Sequence, residues 1–169
     1  MTFLRTLRSR SVLGLILLLS LSFACQKEDT PTPLPETMIL PGEGVETVKI
    51  GDSGQSIVDK YGEVADSWFG GGTSYIHFLI YFDKGLTFFF EPVEHEDFKP
   101  AVAVLNYIAI SDPFDGKTTG DIGIGSSKEE VKAQFGEPDD KIFGDDHYDI
   151  GIRFGYDGDG LVEEMTVVK

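Results

Sequence analysis

One cysteine in 169 residues leaves no partner for an intramolecular disulfide, and three histidines form no Cys/His cluster of structural-zinc spacing. Positive charge is scarce as well. Fourteen Lys and Arg face 29 Asp and Glu, a net charge of −15, which excludes a protein that binds nucleic acid by neutralising phosphates. The apolar run Val12–Leu21 has ten residues, too short for a permanent bilayer span. What is present is ordinary globular composition: 41% hydrophobic, 12% aromatic and 25% charged, enough for one domain or two small fused ones.

The N-terminus differs from the rest. Arg5, Arg8 and Arg10 precede the apolar run, no acid occurs before Glu28, and the small-residue site Ser22-Phe23-Ala24 leads into Cys25. This resembles a bacterial lipoprotein signal whose leucine sits one position further out than usual. Residues 1–24 then form the signal peptide and Cys25 is the lipidated residue. The alternative is an ordinary secretory signal beside an incidental cysteine. From Cys25 onward eleven basic residues face 29 acids, a net charge of −18. Two or three acyl chains, at about 0.8 kcal/mol per buried CH₂, anchor such a chain durably. An anionic leaflet repels its acidic body. Gln26-Lys27-Glu28-Asp29 resembles the short export signal of surface lipoproteins in one group of Gram-negative bacteria; a charged linker start is the alternative. The expected location is the outer membrane, lipid-anchored, with periplasmic or cell-surface orientation open. Pro31, Pro33, Pro35 and Pro41 make residues 25–41 a semi-rigid tether of roughly 40–50 Å.

The remainder reads as two tandem copies, 42–112 and 113–169. Ile50-Gly51-Asp52-Ser53 aligns with Ile124-Gly125-Ser126-Ser127, Tyr61-Gly62-Glu63 with Phe135-Gly136-Glu137, Phe69-Gly70 with Phe143-Gly144, and Phe88 with Phe154. Each copy opens with a short helix: Ser53 and Ser127 are N-caps, Glu130 completes a capping box, and Ile57/Tyr61 and Val131/Phe135 form an i,i+4 stripe. Gly62 and Gly136 end these helices. Strands follow at Ile76–Phe82, Leu86–Phe90 and Val102–Ile110, then near Lys141–Phe143 and His147–Tyr148, and at Gly151–Tyr156 and Leu161–Val168. The expected architecture is α+β: two helix-plus-meander repeats sharing one curved antiparallel sheet, with helices on one face.

The pattern G-x-S-x-x-x-V-x-x-x-[FY]-G-x-P over Gly51–Val64 and Gly125–Pro138, followed by an aromatic meander, resembles the SmpA/OmlA family of small outer-membrane lipoproteins. It also resembles the β-lactamase-inhibitor proteins built from two tandem copies. The first copy departs with Val64 in place of proline. The resemblance implies protein binding without catalysis. It also implies two roles to separate, inhibitor of a hydrolase or accessory lipoprotein of outer-membrane assembly.

Candidate chemistry fails on spacing. Gly51-Asp52-Ser53-Gly54 matches the surroundings of a protease nucleophile, but no histidine precedes it and Ser53 overlies the cap Ser127. A small serine hydrolase using Ser53 therefore ranks last. Asp157-Gly158-Asp159-Gly160 has Leu161 where a calcium loop needs its next ligand, so it reads as a hairpin turn. Asp139, Asp140, Asp145, Asp146 and Asp149 form either a solvated acidic rim or a weak cation trap. Glu94-His95-Glu96-Asp97 lacks the second histidine of a zinc protease. His77 is expected to face solvent or a backbone acceptor. No catalytic residue, metal or cofactor is expected.

The aromatic residues carry the functional expectation. Phe78–Phe82 and Phe88–Phe90 are nearly continuous apolar strands, more than one buried face requires. Trp68, Phe69 and Tyr75 are read as part of the glycine-rich loop around Gly70-Gly71-Gly72, with Tyr81 nearby; Phe69 can also be read as a core plug because it overlies Phe143. These four are the expected contacts for a protein or peptide partner, steered by acidic residues if the partner is basic.

Overall fold

Period-two alternation of apolar residues dictates most of the structure, and strands dominate it. The computed structural model describes residues 38–94 and 97–169. The signal segment, Cys25, the export-like residues Gln26–Asp29, the prolines at 31, 33 and 35, and His95 and Glu96 lie outside the described residues. In chain order the elements are β1 (Ile39–Leu40), β2 (Gly44–Val45), β3 (Val48–Lys49), α1 (Gly54–Tyr61), β4 (Asp66–Gly71), β5 (Ser74–Tyr81), β6 (Leu86–Phe90), β7 (Leu105–Ser111), α2 (Lys128–Phe135), β8 (Asp140–Ile142), β9 (Asp145–Tyr148), β10 (Ile152–Tyr156) and β11 (Val162–Val167). The first three strands form a small sheet. The other eight form one antiparallel sheet in the order β4-β5-β6-β7-β11-β10-β9-β8.

Both helices are two turns long for local reasons. Ser53 accepts a hydrogen bond from the Ser56 N–H, and Ser127 and Glu130 close a reciprocal capping box. Each helix stops where a glycine takes positive φ, 92° at Gly62 and 88° at Gly136. Their buried stripes then dock on the large sheet. Ile57 and Val131 are fully buried, Tyr61 lies 5.4 Å from the Phe88 ring, and Phe135 lies 5.6 Å from Phe154. A hydroxyl holds each helix end: Tyr81 donates to the Gly62 carbonyl at 2.7 Å, and Tyr148 donates to that of Gly136 at 3.2 Å.

The expected α+β architecture of helix-plus-meander repeats with helices on one face is overturned. Two eight-residue helices stand against an eight-stranded and a three-stranded sheet, so the protein is mostly antiparallel β. The physical reason lies near the N-terminus. Ile39, assigned to the tether from proline spacing, is fully buried, and its N–H donates to the Lys117 carbonyl. With Val45 and Val48 it brings the small sheet into the same core as Phe88, Ile108, Phe154 and Met165. Strands supply cover that the sequence reading assigned to helices.

One polar group anchors the far edge of the large sheet. Asp146 is 0% exposed, and its two oxygens meet Lys141 Nζ at 2.7 Å and Lys128 Nζ at 2.9 Å. Burial pushes this carboxyl up, but the hydrogen bonds and charges of Lys141 and Lys128 outweigh it and hold the group below the usual carboxylate range. Removing a buried charge partner commonly costs about 3–5 kcal/mol. Here both lysines reach water and can rehydrate, so Asp146→Asn is expected to lose about 1–3 kcal/mol at pH 7 in urea unfolding. A depressed carboxylate stabilises above its unfolded value and loses that contribution as pH falls through the folded one. The gap between Asp146→Asn and the parent should therefore close as pH drops below about 4.

Candidate binding face

Alternation along each strand of the large sheet sends one set of side chains into the core and the other to the opposite face. On β5, His77, Leu79 and Tyr81 are buried, whereas Ile76, Phe78 and Ile80 are only half-buried; on β6, Phe88 and Phe90 are buried and Phe89 is not. None of Ile76, Phe78, Ile80, Phe89 or Tyr107 belongs to the core. Antiparallel register then aligns the outward residues in rows. One row runs Ser67–Phe78–Phe89–Tyr107 over β4 to β7, and the next runs Ile80–Thr87–Ala109–Thr166–Arg153–His147–Asp140 over β5 to β8.

Four rings form a continuous stripe on this face. Phe69 and Phe78 are 6.1 Å apart, Phe78 and Phe89 stack at 5.2 Å, and Phe89 and Tyr107 stack at 4.4 Å with only 12° between planes. Cross-strand aromatic pairs of this kind stabilise the sheet by about 0.2–1 kcal/mol each and keep one another partly dry. The stripe ends in a groove of about 410 Å³, lined by Phe89, Tyr107, Phe143, Asp145, Arg153 and Glu164 among others. Burial raises the Tyr107 hydroxyl above its ordinary value, the Arg153 charge partly lowers it, and Glu164 raises it further. Glu164 is also shifted up, by burial first and then by Asp145, against the pull of Arg153.

The groove has a strained wall. Phe143 and Gly144 form the two-residue turn between β8 and β9, both at positive φ, 55° and 104°. Such a turn suits Asn-Gly; here a phenylalanine occupies the first position, fully exposed to solvent.

The expected contact residues divide. Phe69 is 50% exposed and begins the ring stripe. The core-plug reading fails for it and for Phe143 alike. Trp68 is 45% exposed, but alternation places it on the other face of the β4 edge, where its ring meets Tyr75 edge-on at 5.2 Å. The presumed glycine-rich loop is the β4–β5 hairpin, so Trp68 and Phe69 cannot contact one flat partner together. Tyr81 is 3% exposed and committed to the Gly62 carbonyl; as a partner contact it is withdrawn. Tyr107, Phe143 and Arg153 were missed. Arg153 alone left a sequence signal, being the only arginine after Arg10.

The other candidates have structural duties. Ser53 caps α1. His77 is 1% exposed, with Nδ1 3.2 Å from Asp66 Oδ2 and its ring against Phe98, contrary to the solvent-facing expectation. Asp157 accepts from the N–H groups of Asp159 and Leu161, which makes its segment a turn. In the acidic loop, Asp139 accepts from the Asp149 N–H, and two lysines neutralise Asp146. Among the described residues no group of three or more His, Cys, Asp or Glu is placed to hold a metal ion.

Relaxing the strained turn gives a test of its cost. Phe143→Asn should raise stability by about 0.5–1 kcal/mol, measured as the urea midpoint, because asparagine tolerates the left-handed region. A loss of stability would mean that the ring packs against the fold instead of facing solvent. No protein-family model, curated protein or solved structure matches this chain, so the meaning of the face rests on its own geometry.

Proposed function

We propose that this chain is a lipid-anchored, non-catalytic envelope protein of the outer membrane that binds a protein or peptide partner on the open face of its large sheet. The observation that carries the reading is the stripe Phe69–Phe78–Phe89–Tyr107, four rings in series outside the core. Rings cost little side-chain entropy to immobilise and supply large dry contacts, which is why they dominate protein interfaces. The surrounding charge supports the same reading, since a body of net −18 steers basic surfaces toward it. Attachment through Cys25 rests on the basic, apolar and small-residue order of residues 1–24.

Two measurements test the proposal on the full chain. Phe78→Thr/Phe89→Thr keeps strand propensity while removing the middle of the stripe. Crosslinked capture from envelope preparations should yield a partner that this variant loses by about 10–100-fold, the range expected for one or two interface anchors. A partner retained equally by parent and variant would move binding off this face. For the anchor, Cys25→Ser should abolish palmitate labelling and shift the protein out of the membrane fraction; continued labelling would overturn the lipid reading.

A further inference from the structure

Arg153 is the one feature of the open face that aromatic packing does not explain. It is half-buried on β10, cross-strand from Thr166 and His147, and lines the groove together with Tyr107 and Phe143. Among the described residues its Nε is shielded from water without a hydrogen-bond partner, and no carboxylate forms an ion pair with it. Across the pair, Nδ1 of His147 is likewise buried and unpartnered. In a chain with 29 acids, a guanidinium without a carboxylate is a donor set waiting for an acceptor from outside.

The neighbours narrow what that acceptor is. Asp145 and Glu164 stand one step further along the sheet, on either side of Gly155: Glu164 pairs with Gly155 in register, and Asp145 Oδ1 lies 3.1 Å from where a β-carbon on Gly155 would sit. Two carboxylates so placed repel a dianion about twice as strongly as a monoanion, which disfavours phosphate or sulfate relative to a carboxylate. The groove wall on the other side is the flat pair Phe89–Tyr107. The group bound by Arg153 is therefore carried on an apolar frame that lies against rings.

We infer that this groove seats a carboxylate of the peptide partner on Arg153, with the residue carrying it packed against Phe89 and Tyr107. The inference rests on the binding reading above and names the chemistry of that partner. A guanidinium presents parallel donors that match a carboxylate, a geometry lysine does not reproduce.

The test follows the Arg153 Nε–H resonance of the full chain in detergent micelles. The probes are N-acetylphenylalanine, its neutral amide, N-acetyl-aspartyl-phenylalaninamide and inorganic phosphate. The acid should shift the Arg153 resonance saturably and bind at least tenfold more tightly than the amide. Arg153→Gln should reduce it to the amide level, and Arg153→Lys should retain only part of the difference with the fold intact. If the aspartyl probe matches the acid, a side-chain carboxylate serves; if it is weaker, the seat prefers a chain terminus. Equal binding of acid and amide, or tighter binding of phosphate, overturns the inference. A partner lost with Phe78→Thr/Phe89→Thr but indifferent to Arg153→Gln overturns the carboxylate seat and leaves the binding face. Carboxylate probes bound at Arg153 with no stripe-dependent partner leave the seat and overturn the protein-partner reading.

Discussion

An eight-stranded sheet has two faces, and among the described residues apolar cover is supplied to one. Ile57 of α1, Val131 of α2, and Ile39, Val45 and Val48 of the small sheet all join a single core with the inward residues of the large sheet. Everything else follows from that one-sidedness. The outward residues of β4 to β7 must keep themselves dry, and they do it by stacking ring on ring from Phe69 to Tyr107. Over β9 to β11 the same face turns polar, with Thr166, Arg153, Asp145 and Glu164. An apolar strip joined to a polar groove is the usual division of a recognition surface into anchor and specificity elements.

Charge is handled differently on the two faces, although the same strands carry it. On β9, Asp146 points into the core and Asp145 and His147 point out. Burial makes Asp146 costly to ionise, and lysines on both oxygens offset that desolvation. Outward groups face no such demand. Arg153 remains without an ion pair, and Glu164 is held up by burial and by Asp145 although Arg153 lies in the same groove.

Local chemistry was legible from the residues and long-range pairing was not. The caps Ser53 and Ser127, the stops Gly62 and Gly136, and strands β5, β6 and β10 follow from spacings of a few residues. The small sheet was hidden because its strands are two residues long, too short for any periodicity, and because Ile39 is held by Lys117 from far along the chain. That omission, together with β4 read as a loop, turned a β protein into an expected α+β one. Trp68 and Phe69 were read as loop residues because glycine usually breaks strands; an edge strand tolerates it. Tyr81 was beyond the reach of alternation: it shares a face with polar His77, while the opposite face carries Ile76, Phe78 and Ile80, and the structure buries the His77 face. Of the groove, only the solitary Arg153 was visible beforehand, since Tyr107 and Phe143 are brought there by register and by a turn.

The groove gathers features that local rules disfavour. Phe143 holds positive φ with its ring in solvent, Arg153 Nε is dry and unpartnered, and the Glu164 carboxyl is shifted against its own ionisation. Several polar groups on the core side are satisfied instead. Ser127 and Glu130 satisfy each other, Tyr81 reaches an open carbonyl, and Asp146 has two cations. Single departures of these kinds occur elsewhere, at positive-φ Glu46 and Asp121, the unpartnered Tyr156 hydroxyl and exposed Phe82, whereas three of different kinds meet in one depression at the end of an aromatic stripe. A sequence departs from locally stable choices where another requirement outweighs stability, and the residues that depart together mark where that requirement acts. By that criterion the Arg153 groove, more than the exposed tryptophan that first draws the eye, is where the proposed partner would bind.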